Sequence, residues 1–193
     1  MAVKEARRCG WCLSDPLYVD YHDNEWGRPV HDGDALYERL ILEGMQAGLS
    51  WLTILKKRAH MTEVFFGFDP ARLVAQGPRR MAGWLQDPGI IRHRGKLEAM
   101  LNNAQLRLQM GNDFSHHLWS FVDGVPVQND WSSPKAVPAH SLASQAMSRS
   151  LKKAGFKFVG PTICYAFMQS VGMVNDHLTS CPSYGICAQV ATR

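Results

Sequence analysis

The stretch LKKAGFKFVGPT, residues 151–162, decides how this chain folds. Apolar residues recur at helical spacing in residues 144–154 before its turn and in residues 162–171 after it, so the stretch connects two predicted helices. Gly155 suits the left-handed residue that ends a helix, and Pro161 suits the first turn of the next one. The sequence therefore predicts two helices joined by a short turn with a glycine at each end.

The turn between these helices is suited to binding phosphate. Its backbone amides precede a helix N-terminus, where the helix dipole favours an anion, and lysines flank it. The element resembles the helix-hairpin-helix of non-specific DNA binders. That interpretation assigns DNA contacts to five residues, namely Gly155, Lys157, Val159, Gly160 and Thr162. A glycine-bounded connection is often only a tight turn, and this alternative stays open here.

Helical periodicity extends through the rest of the chain. It predicts helices over residues 34–47, 51–66, 96–110 and 113–121. Asp34 is expected to cap the first of them, and Asp69-Pro70 is expected to open a short helix that ends near Gln76. Residues 122–125 form at most a small hairpin, and residues 128–140 are expected to be a connecting loop. The predicted fold class is all-α.

Composition predicts a single globular domain over residues 1–193. The chain is 46% hydrophobic, and its most apolar stretch, residues 162–174, is shorter than the roughly 20 residues that a membrane span needs. The start lacks an apolar signal core, so we expect a cytoplasmic protein that does not interact with membranes. Net charge is +4, with eleven of the 21 basic residues in four short groups that indicate either a polyanion surface or solvated helix faces.

Two cysteines and two histidines near the chain ends form a possible zinc ligand set. Cys9 and His22 lie near the start, and His177 and Cys181 lie near the end, four residues apart as on one helical face. Five cysteines are an odd number and do not indicate a disulfide framework. Cys12 competes with His22 as a ligand, and a packed thiol beside a surface imidazole is the simpler alternative.

Seven motifs occur in order along the chain. They are RCGW (8–11), DPLY (15–18), YHDNEWG (21–27), LEGMQAGLSW (42–51), GIIRHRGK (89–96), GFKFVG (155–160) and VNDH (174–177). Together they closely resemble the 3-methyladenine-DNA glycosylase I (Tag-type) family of the helix-hairpin-helix glycosylase superfamily. The resemblance covers residues 8–181. Residues 182–193 match none of its motifs and are expected to be a mobile tail.

The resemblance implies an enzyme that hydrolyses the N-glycosidic bond of 3-methyladenine in alkylated double-stranded DNA by base flipping. It implies a monomer with two helical lobes and one structural zinc ion that joins the termini, with Cys12 a bystander. The implied zinc ligands are Cys9, His22, His177 and Cys181. Asp176, beside a ligand, is expected to be structural, because this family is thought to lack a catalytic aspartate after the hairpin.

The base pocket is expected in the amino-terminal third, where aromatic residues are dense. Its predicted members are Trp11, Tyr18, Tyr21, Trp26, Glu43 and Trp51. Glu43 is the predicted catalytic residue, which accepts hydrogen bonds from the amine side of the base. Gln46 and Leu49 are expected to enter the duplex when the base leaves the stack. Ordinary core packing is the alternative for all of these residues.

Two other functions remain open from the sequence. The first is a zinc-fastened module that binds damaged DNA without cutting it, although such a module would not need Glu43. The second is removal of oxidised or mismatched bases through a Schiff-base lysine. Lysines 152, 153 and 157 lie near the hairpin, but each has a ready role as a phosphate partner.

Overall fold

Helices make up most of the structure, a computed structural model that describes residues 8–190. Within that range lie nine α-helices: α1 (Pro16–Asn24), α2 (Gly33–Gln46), α3 (Trp51–Val64), α4 (Pro70–Trp84), α5 (Arg94–Met110), α6 (Asp113–Trp119), α7 (Leu142–Lys153), α8 (Pro161–Ser170) and α9 (Pro182–Val190). Short 3-10 turns occupy Gly10–Cys12, Phe66–Phe68, Ser120–Val122 and Pro134–Ala136. The prediction of a helical fold class is confirmed, and a division into two lobes stays a prediction.

The start of α2 differs from the prediction by two residues. Asp32, not Asp34, caps this helix, because its Oδ1 accepts the backbone amides of Asp34 at 3.1 Å and Ala35 at 2.8 Å. Asp34 instead lies in the first turn, where its carboxylate meets the Arg107 guanidinium at 3.0 Å. Either aspartate satisfies the capping pattern, so the sequence does not distinguish them.

The helix α4 begins as predicted but runs eight residues past the predicted end at Gln76. Asp69 caps it and Pro70 occupies its first turn. The helix continues through Pro78 to Trp84, although an internal proline removes one backbone hydrogen bond. The helix packs along α5 over this length. A side chain on Gly77 would lie 2.3 Å from Leu101, so the glycine lets the two helices approach closely.

Residues 122–125, where the sequence allows at most a small hairpin, do not form strands. That segment is a turn in which Asp123 and Gly124 have φ of 55° and 75°. The strand β1 (Val127–Gln128) follows it and pairs in parallel with β2 (Val174–Asn175). The partner lies far along the chain and each strand is too short to show alternation, so the sequence carries no sign of this pairing.

The prediction of a mobile tail is wrong for residues 182–190, because they form α9. Cys187 on this helix is buried, and the backbone carbonyl of Tyr184 accepts the Asn175 side-chain amide at 3.0 Å. The helix is therefore docked against β2. Residues 191–193 lie outside the described part of the chain.

The helices around the turn 154–160 agree with the prediction. Helices α7 and α8 pack against each other, Gly155 has φ of 98°, and Pro161 is the first residue of α8. Helix α7 begins two residues before the predicted start, because Ser141 forms a reciprocal capping box with Ser144. Across residues 8–190, none of the helices is long and apolar enough to cross a membrane.

Candidate active site

An open cavity of about 370 Å³ lies between the amino-terminal helices and α8. All six residues predicted to surround the base line it, namely Trp11, Tyr18, Tyr21, Trp26, Glu43 and Trp51. They come from the Gly10–Cys12 turn, α1, the segment after α1, α2 and α3. The fold therefore brings together side chains spread over forty residues of sequence, and their role in base binding stays a prediction.

The aromatic side chains of the cavity form two groups. The Trp11 ring meets Tyr18 at a centroid distance of 4.9 Å and Trp26 at 5.0 Å. Tyr21 and Trp51 form the second group, with centroids 5.4 Å apart and ring planes tilted by 46°. Such tilted contacts fix the rings against one another. The walls are thus built of rigid π surfaces.

Glu43 is the acidic side chain buried among these rings. It lies in the last turn of α2 and is 4% exposed. Burial raises the pKa of Glu43 to about 8, although the Ser170 hydroxyl and the charge of Arg39 oppose the shift. At neutral pH the carboxyl is therefore mostly protonated in the empty cavity. A cation in the cavity would favour its ionised form.

Asp176 also lines the cavity, and its carboxylate is fully engaged. Its Oδ1 accepts hydrogen bonds from Asn129 at 2.6 Å and Trp131 at 2.7 Å. Its Oδ2 accepts from Tyr165 at 2.6 Å and Gln169 at 2.8 Å. These four donors occupy the positions where a carboxylate accepts, which supports the predicted structural role for Asp176.

Several cavity residues were not predicted from the sequence. They are Pro134, Val137, Ala166, Gln169 and Leu178. Two of them belong to residues 128–140, which the sequence presents only as a connecting loop. The hydrogen bonds that attach this region to Asp176 explain its position, and they join residues more than forty apart.

The four predicted metal ligands meet in a buried cluster. The ligand atoms of Cys9, His22, His177 and Cys181 all lie within 4.8 Å of one another. The two facing imidazole nitrogens are 3.1 Å apart, and Sγ of Cys181 lies 3.5 Å from His22 Nε2 and 3.8 Å from His177 Nδ1. The ligand atoms of tetrahedral zinc are separated by about 3.3 to 3.8 Å. The cluster thus has nearly the spacing of a zinc site.

Hydrogen bonds behind the cluster orient both imidazoles. His22 Nδ1 donates to the Asp23 carboxylate at 2.8 Å, and His177 Nε2 donates to the Trp26 carbonyl at 3.2 Å. Both acceptors lack protons, so in its neutral form each ring directs its other, unprotonated nitrogen into the cluster, as a metal ligand requires. Cys12 lies outside the cluster, with its thiol donating to the Cys9 carbonyl.

The end of α2 and the turn after it carry the two residues predicted to enter DNA, Gln46 and Leu49. Gln46 lines the cavity, and Leu49 is 42% exposed. Gly48 between them has φ of 77°, a left-handed conformation that turns the chain. The turn therefore lies beside the cavity with an apolar side chain directed to solvent.

The hairpin between α7 and α8 exposes only part of the predicted DNA-binding set. The side chains of Lys157 and Thr162 are exposed, whereas Val159 is buried. Val159 can therefore contact DNA only through its backbone. Phe158, which was not predicted, is exposed on the hairpin with φ of 55°. An exposed aromatic side chain in a strained conformation is an unusual feature of a tight turn.

The chain matches the family described as Methyladenine glycosylase over residues 11–184. It is 49% identical to "DNA-3-methyladenine glycosylase 1" of Escherichia coli over 180 residues, which cover 92% of this chain and 96% of that protein. A crystal structure of 3-methyladenine DNA glycosylase I is 50% identical with a TM-score of 0.89, covering 91% of this chain and 98% of that one. A Staphylococcus aureus structure, described as the structural basis of 3-methyladenine recognition, is 38% identical with a TM-score of 0.87, covering 91% and 95%.

Proposed function

The chain belongs to the methyladenine glycosylase family, and we propose that it removes 3-methyladenine from alkylated DNA with the Glu43 cavity as its active site. It is a base-excision repair glycosylase that hydrolyses the N-glycosidic bond. The observation that carries the assignment of the active site is a buried carboxyl group inside an aromatic cavity. Its volume lies within the roughly 300 to 1,000 Å³ of typical small-molecule sites.

Base flipping delivers the substrate to this cavity. A base inside duplex DNA is out of reach, so the nucleotide rotates out of the stack and its purine enters between the aromatic walls. Gln46 borders the cavity and Leu49 projects to solvent from the same turn. We propose that these two side chains fill the space that the base leaves in the duplex.

The positive charge of the methylated base provides selectivity. Methylation at N3 makes the nucleotide cationic, and electron-rich indole and phenol rings attract a cation. The same charge favours ionised Glu43 over the protonated form that burial alone favours. The carboxylate then accepts a hydrogen bond from the exocyclic amine. Unmodified adenine lacks the charge and gains neither interaction.

The methylated base is a good leaving group without acid catalysis. When the glycosidic bond breaks, its electron pair stays on the base and cancels the positive charge. Water adds its hydroxyl group to the sugar and releases its other proton to the solvent. No side chain has to protonate the base. A Schiff-base lysine is not required either, so the reaction ends at an abasic site.

Two elements would hold the duplex around the flipped nucleotide. We propose that α7, the hairpin and α8 form a helix-hairpin-helix element that binds phosphates through Lys157, Thr162 and the backbone amides of Val159 and Gly160. The predicted contact through Gly155 is not part of this proposal, because its amide donates to the Lys152 carbonyl at 3.0 Å and its carbonyl accepts from Asn102. The exposure of the Lys157 and Thr162 side chains supports this role. The proposed substrate partner is double-stranded DNA with alkylated bases. A monomeric state and a cytoplasmic location stay predictions.

A single structural zinc ion is part of the proposal. Cys9, His22, His177 and Cys181 would hold it, as supported by their close approach, their burial and the two oriented imidazoles. Four protein ligands leave no open position for water, so the ion would stabilise the fold only. It would fasten the segment before α1 to the segment before α9.

Base release distinguishes this function from the alternatives. Methylated duplex is incubated with the protein, and free bases are separated by chromatography. We expect the wild type to release 3-methyladenine. Its rate of release should be at least about tenfold lower with Glu43→Gln, which corresponds to about 1.4 kcal/mol. Binding without release would instead support a damage-binding module. A borohydride-trapped adduct would support a Schiff-base enzyme.

A further inference from the structure

Helix α5 contacts the end of α2 and the turn after it through a buried lysine. Lys96 is 7% exposed, and its ammonium donates hydrogen bonds to the carbonyls of Met45 at 2.8 Å and Ala47 at 2.6 Å. These carbonyls belong to the last turn of α2 and the residue after it, where the helix dipole favours a cation. The buried charge thus fixes the backbone on both sides of Gln46, where α2 ends and the turn toward Leu49 begins.

The same helix also holds the hairpin. The Asn103 side chain donates to the Lys157 carbonyl at 2.9 Å and accepts the Lys157 amide at 2.9 Å. Its neighbour Asn102 donates to the Gly155 carbonyl at 3.0 Å. Both backbone groups of Lys157 are therefore occupied by α5, which leaves only its side chain for DNA.

The last turn of α2, just before the Gln46–Leu49 turn, also contacts the hairpin directly. A side chain at Gly44 would lie 3.3 Å from both Cβ and the carbonyl oxygen of Phe158. The absence of a side chain at Gly44 lets the hairpin rest on α2 one residue after Glu43. Lys96, Asn103 and Phe158 line one small space at this junction.

We propose that Lys96 and Asn103 are positioning residues that set the hairpin and the Gln46–Leu49 turn at a fixed separation for DNA engagement. This inference rests on the proposed function. The hairpin binds phosphates at one position on the duplex. The inserted side chains must enter the duplex at a fixed distance from that position. A displacement of one ångström can reduce a rate about 100-fold.

Arg107 provides a matched control on the same helix. It donates to the backbone carbonyls of Gly33 at 3.3 Å and Gly111 at 2.7 Å and pairs with the Asp34 carboxylate at 3.0 Å, and so holds the opposite end of α2. It contacts neither the turn nor the hairpin. Loss of Arg107 should lower stability without changing how the duplex is engaged.

The test compares Lys96→Met with Arg107→Met. Single-turnover excision from methylated duplex is measured beside binding of 3,9-dimethyladeninium, a permanently cationic base with a methyl group in place of the sugar. Lys96→Met should slow excision about 10- to 100-fold and leave the affinity for the free base within about twofold. Arg107→Met should change neither value, although its melting temperature falls.

Three results would overturn the inference. The first is an excision rate for Lys96→Met no lower than that for Arg107→Met. The second is an equal loss in excision and in free-base affinity. The third is a slow Lys96→Met enzyme when Gln46→Ala and Leu49→Ala remain fully active. If Lys96→Met does not fold, Asn103→Ala is measured in the same way and must slow excision while leaving the affinity for 3,9-dimethyladeninium within about twofold. Failure of the proposed function would appear separately, as unchanged excision by Glu43→Gln.

Discussion

His177 contacts Trp26 in two ways. Its Nε2 donates to the Trp26 carbonyl at 3.2 Å, and the two rings meet edge to face with centroids 4.6 Å apart. The buried Cys and His cluster therefore lies directly behind one wall of the cavity. Any change in the cluster that rotates the imidazole also moves an aromatic side chain proposed to contact the base.

Loss of a cluster ligand should remove zinc and stability together. Cys181→Ser is expected to bind less than one zinc ion per chain, measured by atomic emission, and to melt at a lower temperature. For a chain of this size each 1 kcal/mol corresponds to about 2–4 °C. Cys12→Ser is the control, because that thiol is buried but outside the cluster. Equal zinc content in both variants would contradict the site.

The activity should depend on ionisation of Glu43. Since burial raises its pKa to about 8, kcat/KM should increase as pH rises toward 8 and then level off. Once the cationic base is bound, ionised Glu43 is favoured, so the corresponding rise in kcat should occur at lower pH. Glu43→Gln should show neither rise. Parallel pH profiles of the two enzymes would exclude this role for the carboxyl.

The stability should respond to the same group with the opposite trend. In the unfolded chain Glu43 loses its proton near pH 4.5, whereas the folded protein retains it to about pH 8. The wild type therefore loses stability relative to Glu43→Gln as pH rises through this interval, by at most about 5 kcal/mol. Denaturant unfolding at pH 5 and pH 8 measures the difference. The difference in free energy of unfolding between Glu43→Gln and the wild type should be larger at pH 8 than at pH 5. A difference that is constant or smaller at pH 8 would show that the pKa of Glu43 is not raised in the folded protein.

Lys157 should contribute to DNA affinity through charge alone, because α5 occupies its backbone groups. Lys157→Ala is expected to weaken binding of unmodified duplex and to reduce the slope of log affinity against log salt by about one. Binding of 3,9-dimethyladeninium should not change, because the lysine is absent from the cavity wall. An unchanged salt slope would remove Lys157 from the DNA interface.

Local patterns in the sequence predicted much of this fold. Helical periodicity located the long helices, and Gly155 and Pro161 located the hairpin with correct backbone conformations. The predicted end of α4 near Gln76 was wrong, since the helix continues through Pro78 to Trp84 along α5. The parallel strands were missed because β1 pairs with a strand 47 residues further along the chain, and α9 was missed because its contact with Asn175 on β2 leaves no periodic pattern.

The residues of the site also fall into those that local sequence motifs predicted and those that they did not. Recognisable motifs identified the residues of the cavity wall from Trp11 to Trp51 and the four cluster ligands, all of which the fold brings together. The loop residues that complete the cavity and the supporting role of Lys96 have no local signature. They follow from hydrogen bonds between segments that the sequence does not show to be neighbours.

The preference of the isolated cavity for a cationic purine tests the central claim most directly. Binding of 3,9-dimethyladeninium and of neutral 9-methyladenine is compared through the fluorescence of the cavity tryptophans. The cation should bind at least about tenfold more tightly to the wild type, and Glu43→Gln should lose most of that preference. Equal affinity of the wild type for the two bases would contradict the account.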